Sequence, residues 1–93
     1  MFNATYAGNA VVLSGRFDAS QVEQAKQVFG RVAGSVTVDF LQLEYISSAG
    51  MGVLLMTQKR LVETGGKLKL VNVNKHIRDV FRYAGFDRIF EVE

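Results

Sequence analysis

Segments of strand character alternate with segments of helical periodicity along this chain, and this alternation limits the possible folds more than any other feature. Gly8-Asn9 is a two-residue turn pair between apolar stretches at residues 2–6 and 10–14, which predicts an opening antiparallel hairpin. Further strands are predicted at residues 35–40, 67–73 and 89–92. The order β-β-α-β-α-β-α-β predicts an α/β fold. We expect a mixed, mostly parallel sheet of about five strands with about three helices and the first strand antiparallel at an edge.

Capping signals mark the start of the first predicted helix. Asp18 is followed three residues later by Gln21, which is the pattern of a capping box. This helix is expected to run to about Ala33 and to stop at Gly34. Residues 41–45, after the strand that follows, are expected to form a connection.

The second helix is expected to begin at Ala49 or Gly50 and to continue to about Thr64, where Gly65-Gly66 supplies a C-cap. Met56 within it is interpreted as a core residue.

The third helix is expected to be capped by Asn74 and ended by Gly85. Tyr83 and Phe86, near its end, are expected in the core or at its rim. A stripe at helical spacing defines its buried face: Ile77, Val80, Phe81 and Ala84.

Composition restricts the class of protein. The 93 residues, 48% of them hydrophobic and 22% charged, are expected to form a single domain spanning residues 1–93. No apolar run is long enough for a membrane span, and residues 1–5 lack the pattern of a secretory signal, so a cytoplasmic protein is expected. The net charge of +2 is scattered rather than clustered, which argues against nucleic-acid binding.

The segment Glu44–Leu55 contains the clearest candidate site. Ser47 and Ser48 directly precede a glycine-punctuated apolar run, so either can cap the helix that follows. The start of a helix is also a favourable place for a phosphate to be added or bound. From these residues alone, a capping role and a phosphate-bearing role both remain open.

Enzyme motifs are incomplete. A nucleophile elbow around Ser48 would require glycine where Ile46 stands, and a dinucleotide fingerprint starting at Gly50 would require glycine where Leu55 stands. His76 is the only histidine, it is expected at the surface, and no cysteine is present. We therefore expect no enzymatic activity, no cofactor and no metal site.

Four segments in order resemble the STAS domain of bacterial anti-sigma factor antagonists. The strongest is Tyr45–Leu55, which is similar to the family's signature. The others are Leu13–Asp18, Gly65–Asn72 and Val80–Phe90.

The resemblance implies a partner switch that regulates transcription. The unmodified antagonist would bind an anti-sigma factor that is a serine kinase of the GHKL-type ATPase class, and phosphorylation of the antagonist would release it. A metal-dependent serine phosphatase would reset the switch. By position in the motif the acceptor is Ser48, with Ser47 as second choice. The implied partner-binding residues are Asp18, Ser47, Ser48, Ala49, Gly50, Met51 and Gly52.

The chain departs from the family pattern at three positions. Ser47 replaces the usual aspartate, Ala49 replaces a frequent serine or threonine, and Arg16 stands where many relatives have an acid. Met51, on the first turn, is expected to be exposed. STAS-like domains also serve as regulatory subunits of transporters or sensory assemblies, which is the main alternative, and a small hydrolase is a more distant one.

Overall fold

The computed structural model describes residues 1–93, folded as a five-stranded sheet with three α-helices and two 3₁₀ turns. The strands are β1 (Asn3–Ala7), β2 (Ala10–Phe17), β3 (Val36–Ile46), β4 (Leu68–Val71) and β5 (Glu91–Val92). The helices are α1 (Val22–Phe29), α2 (Ser48–Val62) and α3 (Lys75–Tyr83), with 3₁₀ turns at Ala19–Gln21 and Phe86–Arg88. The predicted order of elements is confirmed.

The strands lie side by side in chain order, β1-β2-β3-β4-β5. β1 and β2 pair antiparallel through the Gly8-Asn9 turn, whereas all later pairs are parallel. Crossovers of one hand between successive neighbours put every helix on the same face of the sheet. The burial along β2 agrees with this, since Val11 and Leu13 are buried while Val12 and Arg16 are exposed. The predicted mixed sheet with an antiparallel edge strand is therefore confirmed.

A single core fills the space between the sheet and the helices. It contains 23 buried apolar residues drawn from the sheet and all three helices. Phe40 of β3 meets Phe81 of α3 edge-to-face, with ring centroids 5.7 Å apart. Phe86 continues this aromatic series, because it packs against Phe81 and Phe90 at centroid distances of 5.4 and 5.0 Å. This packing folds residues 86–88 into a turn and leaves β5 shorter than predicted.

The first helix ends earlier than predicted. The capping box of Asp18 and Gln21 is present, but it starts a 3₁₀ turn from which α1 continues only to Phe29, not to Ala33. Glycine at position 30 favours termination, and the Phe29 carbonyl at the end of the helix accepts hydrogen bonds from the guanidinium of Arg60 at 2.7 Å and from the Val32 N–H at 3.3 Å.

The third strand is longer than predicted and includes residues 41–45, which were expected to form a connection. Its register with β2 shifts twice, between Val12 and Ser14 and between Gly15 and Arg16. Such bulges break the regular alternation of buried and exposed residues, so the sequence pattern conceals the strand. The extension carries the chain to the carboxyl edge of the sheet, where α2 begins.

Helix α2 is fastened to the sheet by a buried polar side chain. Gln58 accepts a hydrogen bond of 2.7 Å from the Leu68 N–H and donates one of 3.0 Å to the Ile89 carbonyl. The helix begins at Ser48, one residue before the predicted start, and ends at Val62, two residues before Thr64. The glycine pair follows it as predicted, since the N–H of Gly66 bonds back to the carbonyl of Leu61 and Gly65 has a positive φ of 85°.

Four side chains of the later helices differ from expectation. Ala84, predicted on the buried face of the third helix, is exposed because α3 ends at Tyr83 and Ala84 is its C-cap. Met56 is 64% exposed rather than part of the core, and Tyr83 is 96% exposed rather than at a rim. Met51 is 7% exposed, so the expectation that it lies at the surface is wrong. The helical turn explains the methionines, because Met51 faces the sheet beside Leu54 whereas Met56 points away from it. The predicted Asn74 cap of α3 is confirmed by a 2.9 Å hydrogen bond that its side chain accepts from the Ile77 N–H.

Candidate functional site at the start of helix α2

Ser47 joins the end of β3 to the start of α2. Its N–H donates a 2.8 Å hydrogen bond to the Phe17 carbonyl, which fixes it to the end of β2. Its backbone is extended, and its Oγ accepts a 3.1 Å hydrogen bond from the Gly50 N–H. Its carbonyl accepts the first helical bond, from the Met51 N–H at 2.9 Å. Of the two serines that could cap the helix, Ser47 is therefore the N-cap of α2.

Ser48 is the first residue of the helix and its side chain is exposed. Because Ser47 supplies the capping oxygen, the helix does not need the Ser48 hydroxyl as a cap. The hydroxyl lies at the positive end of a 15-residue helix whose first turn contains no acidic residue. This arrangement places an unengaged hydroxyl in a field that accommodates negative charge.

The residues after Ser48 divide between two faces of the helix. Ala49 is exposed and Gly52 is partly exposed, with nothing within 4 Å of the position that a Cβ on Gly52 would occupy. Gly50 is buried, and a Cβ there would lie 3.0 Å from Ile46 Cγ1. The small residues at 49 and 52 therefore leave the outer surface of the helix without large protruding side chains, whereas glycine at 50 allows the helix to pack closely against the core. Gly50 and Met51 point inward and do not belong to the exposed surface.

Asp18 lies at the same edge of the sheet, directly after Phe17, whose carbonyl holds Ser47. Its carboxylate accepts hydrogen bonds from the hydroxyl of Ser20 at 2.6 Å and from the Ser20 N–H at 2.9 Å. These bonds favour the charged form and hold the pKa of the Asp18 carboxyl below its ordinary value of 3.8. Asp18 is thus a partly exposed cap that presents fixed negative charge beside the start of α2.

Arg16 has a partner that sequence reasoning did not identify. It lies opposite Tyr45 in the register of β2 with β3, and its guanidinium carbon is 4.4 Å from the centre of the Tyr45 ring. This is the geometry of a cation–π contact. Arg16 is exposed and alternates with the buried Phe17, so it lies on the helix-free face of the sheet. The two register shifts decide this pairing, and no local sequence signal reveals them.

No group of three or more histidine, cysteine, aspartate or glutamate side chains is placed to hold a metal ion. None of the helices has both the length and the apolar character that crossing a bilayer requires.

A mixed five-stranded sheet with all helices on one face, and a serine-headed helix at its carboxyl edge, is the architecture of a STAS-type domain. The chain belongs to the STAS domain family: the family model described as "Mlab, STAS domain" matches residues 1–91.

Similar proteins agree with this assignment. The putative anti-sigma factor antagonist BtrV of Bordetella bronchiseptica is 39% identical over 82 residues, which cover 88% of this chain and 70% of that protein. A putative anti-sigma factor antagonist of Thermotoga maritima has a similar structure, with a TM-score of 0.79 at 21% identity over 98% of this chain and 84% of that one. The phosphorylated form of the Bacillus cell fate determinant SpoIIAA gives a TM-score of 0.71 at 24% identity, covering 100% of this chain and 91% of that one.

Proposed function

We propose that this chain is an anti-sigma factor antagonist that acts in a phosphorylation-controlled partner switch in the cytoplasm. In its unmodified form it binds an anti-sigma factor that is a serine kinase of the GHKL-type ATPase class. Phosphorylation of Ser48 releases the kinase, and a metal-dependent serine phosphatase restores the binding form. The observation that carries the proposal is the exposed Ser48 hydroxyl, which is not needed as a helix cap because Ser47 caps α2.

The surface proposed to meet the kinase follows from exposure. Ser48 and Ala49 are exposed, Gly52 is partly so, and Asp18 lies next to them at the sheet edge. Because Ala49 and Gly52 have no large side chains, a partner can approach the helix backbone closely there. Ser47 contributes its backbone and the edge of its side chain to this proposed surface. Gly50 and Met51 contribute only from beneath, by setting the position of the first turn.

A phosphate on Ser48 should alter the surface without unfolding the domain. It adds about −1.5 to −2 charges. At an exposed helix N-terminus this charge is favourable by roughly 0.3–1 kcal/mol. Against a close-packed partner the same group introduces bulk and a charge that must lose its water. A loss of about 3 kcal/mol of binding free energy lowers affinity more than a hundredfold, which is sufficient for a switch.

Labelling with ATP in the presence of the cognate anti-sigma kinase tests the acceptor. We expect phosphate on the wild-type chain and none on Ser48→Ala. The matched control is Ser47→Ala, which loses the cap but keeps the proposed acceptor and should still be labelled. Equal labelling of Ser48→Ala and the wild type would overturn the assignment, and labelling lost only in Ser47→Ala would move the acceptor to Ser47.

A further inference from the structure

A groove between α1 and α2 has no part in the proposed switch as described so far. Its volume is about 340 Å³. Buried side chains form its floor, namely Phe29, Val53 and Thr57. Exposed side chains form its rim, namely Lys26, Met56 and Arg60. The groove is therefore apolar at the bottom and cationic at the edge.

The two cations at the rim lack strong acidic partners within the chain. Arg60 is held in place because its guanidinium donates to the Phe29 carbonyl, a neutral group, at 2.7 Å. Lys26 has only the carboxylate of Glu23 at 3.8 Å, and that glutamate side chain is 88% exposed. No carboxylate lines the groove. The positive charge at the rim is available to a partner, and an oriented guanidinium favours a carboxylate.

Met56 forms one side of this groove and is the most exposed apolar side chain of α2. Unbranched methionine adapts its shape to different apolar groups and is frequent at binding surfaces. It lies eight residues after Ser48, which is about 12 Å along the helix and about 80° around it. Gly52 lies between the two and has no side chain to separate them. A protein seated over Ser48 therefore reaches the groove along one continuous surface.

We propose that this groove receives an apolar side chain of the anti-sigma factor, and that a neighbouring carboxylate of the same protein pairs with Arg60 and Lys26. The inference rests on the proposed function. It assigns to the groove the affinity and the choice of partner, whereas the start of α2 makes the interface sensitive to phosphate. The apolar floor accepts the side chain, and the cationic rim selects an acidic neighbour.

Charge-introducing variants test this with the full-length chain and the purified anti-sigma kinase. Met56→Glu and Lys26→Glu place negative charge at the rim and should each raise the Kd at least tenfold in titration calorimetry. Met56→Leu keeps an apolar wall and should bind within about twofold of the wild type. The matched control is Val62→Glu, since Val62 is a 56% exposed apolar residue of the same helix outside the groove. It should also bind within about twofold, because surface changes outside a contact have small effects.

The outcomes separate the two claims. Melting temperatures within about 2 °C of the wild type show that the variants are folded. A binding loss confined to Met56→Glu and Lys26→Glu supports the groove. If the wild type binds and all variants bind equally, or if Val62→Glu weakens binding as much as Met56→Glu, the groove proposal is overturned while the switch stands. If Ser48→Ala is labelled as strongly as the wild type, the proposed switch fails whatever the groove variants do.

Discussion

Replacement of Gly52 by alanine should make the free domain more stable. Gly52 is the fifth residue of α2, and a Cβ at this position would meet no atom within 4 Å. Glycine inside a helix is less favourable than alanine by about 0.5–1 kcal/mol, and no steric cost opposes the gain here. The free energy of unfolding should rise by about that amount. For a domain of this size 1 kcal/mol corresponds to about 4–8 °C, so the melting temperature should rise by about 2–8 °C.

Gly50→Ala is the matched control on the same turn of the helix. Its Cβ would lie 3.0 Å from Ile46 Cγ1 and 3.1 Å from the ring of Phe17. Both neighbours are buried, with exposures of 5% and 0%, and they have little room to move. Overpacking of this kind costs about 1–3 kcal/mol, which equals or exceeds the gain in helix propensity. The melting temperature of Gly50→Ala should therefore fall below that of Gly52→Ala and should not exceed that of the wild type.

Thermal melts followed by circular dichroism, with urea titrations of the same proteins, measure both effects. The proposed interface adds a second readout. The methyl group at position 52 stands on the surface offered to the kinase, so Gly52→Ala should bind the kinase more weakly although it is more stable. A melting temperature of Gly52→Ala at or below the wild-type value would refute the helix argument. A Gly50→Ala protein as stable as Gly52→Ala would refute the packing argument.

Four further changes give distinct expectations. Ser48→Asp should melt within about 2 °C of the wild type, since a surface charge at a helix start is tolerated, yet calorimetry should show at least tenfold weaker kinase binding; unchanged binding would contradict the switch. Ser47→Ala should lower the free energy of unfolding by about 1 kcal/mol in urea titrations because α2 loses its cap, and a loss near zero would argue against the capping bond. Gln58→Leu should lower it by about 1–3 kcal/mol, since two backbone groups lose their buried partner; an unchanged urea midpoint would mean that water replaces the amide. The hydrogen bond from Lys67 lowers the pKa of Glu91 below its ordinary value of 4.5, so the stability that this ion pair contributes is present above that pH and is lost as the pH falls through the lowered pKa. The difference in melting temperature between the wild type and Glu91→Gln should therefore shrink below about pH 4.5. A constant difference would refute the ion pair.

Local signals in the sequence predicted the features that depend on a few neighbouring residues. The Gly8-Asn9 turn and the caps at Asp18, Ser47 and Asn74 are all found in the structure. Each acts through a hydrogen bond or a backbone angle set within about three residues, so the sequence contains the whole interaction. The order of elements follows from these boundaries, and the sheet topology follows from the order.

Features that depend on distant residues could not be read in the same way. The end of α1 is stabilised by Arg60, which is 31 residues away from its carbonyl partner. The length of β3 depends on two bulges against β2. Met56 and Tyr83 are apolar or aromatic residues within helices, and composition alone does not distinguish a core side chain from one that faces outward. At the candidate site, the family resemblance pointed to Ser48, whose role as acceptor stays a prediction, whereas the inward orientation of Gly50 and Met51 required the structure.

The proposed division of roles between the capping Ser47 and the acceptor Ser48 has a kinetic consequence. Ser47 accepts the hydrogen bonds of the first turn of α2, so a change at the Ser48 side chain should leave the backbone hydrogen bonds of that turn in place. In the proposed switch, interconversion of the unmodified and phosphorylated forms would then involve no refolding step within the domain. The response time of the circuit would be set by the turnover of the modifying enzymes and by how quickly the complex dissociates.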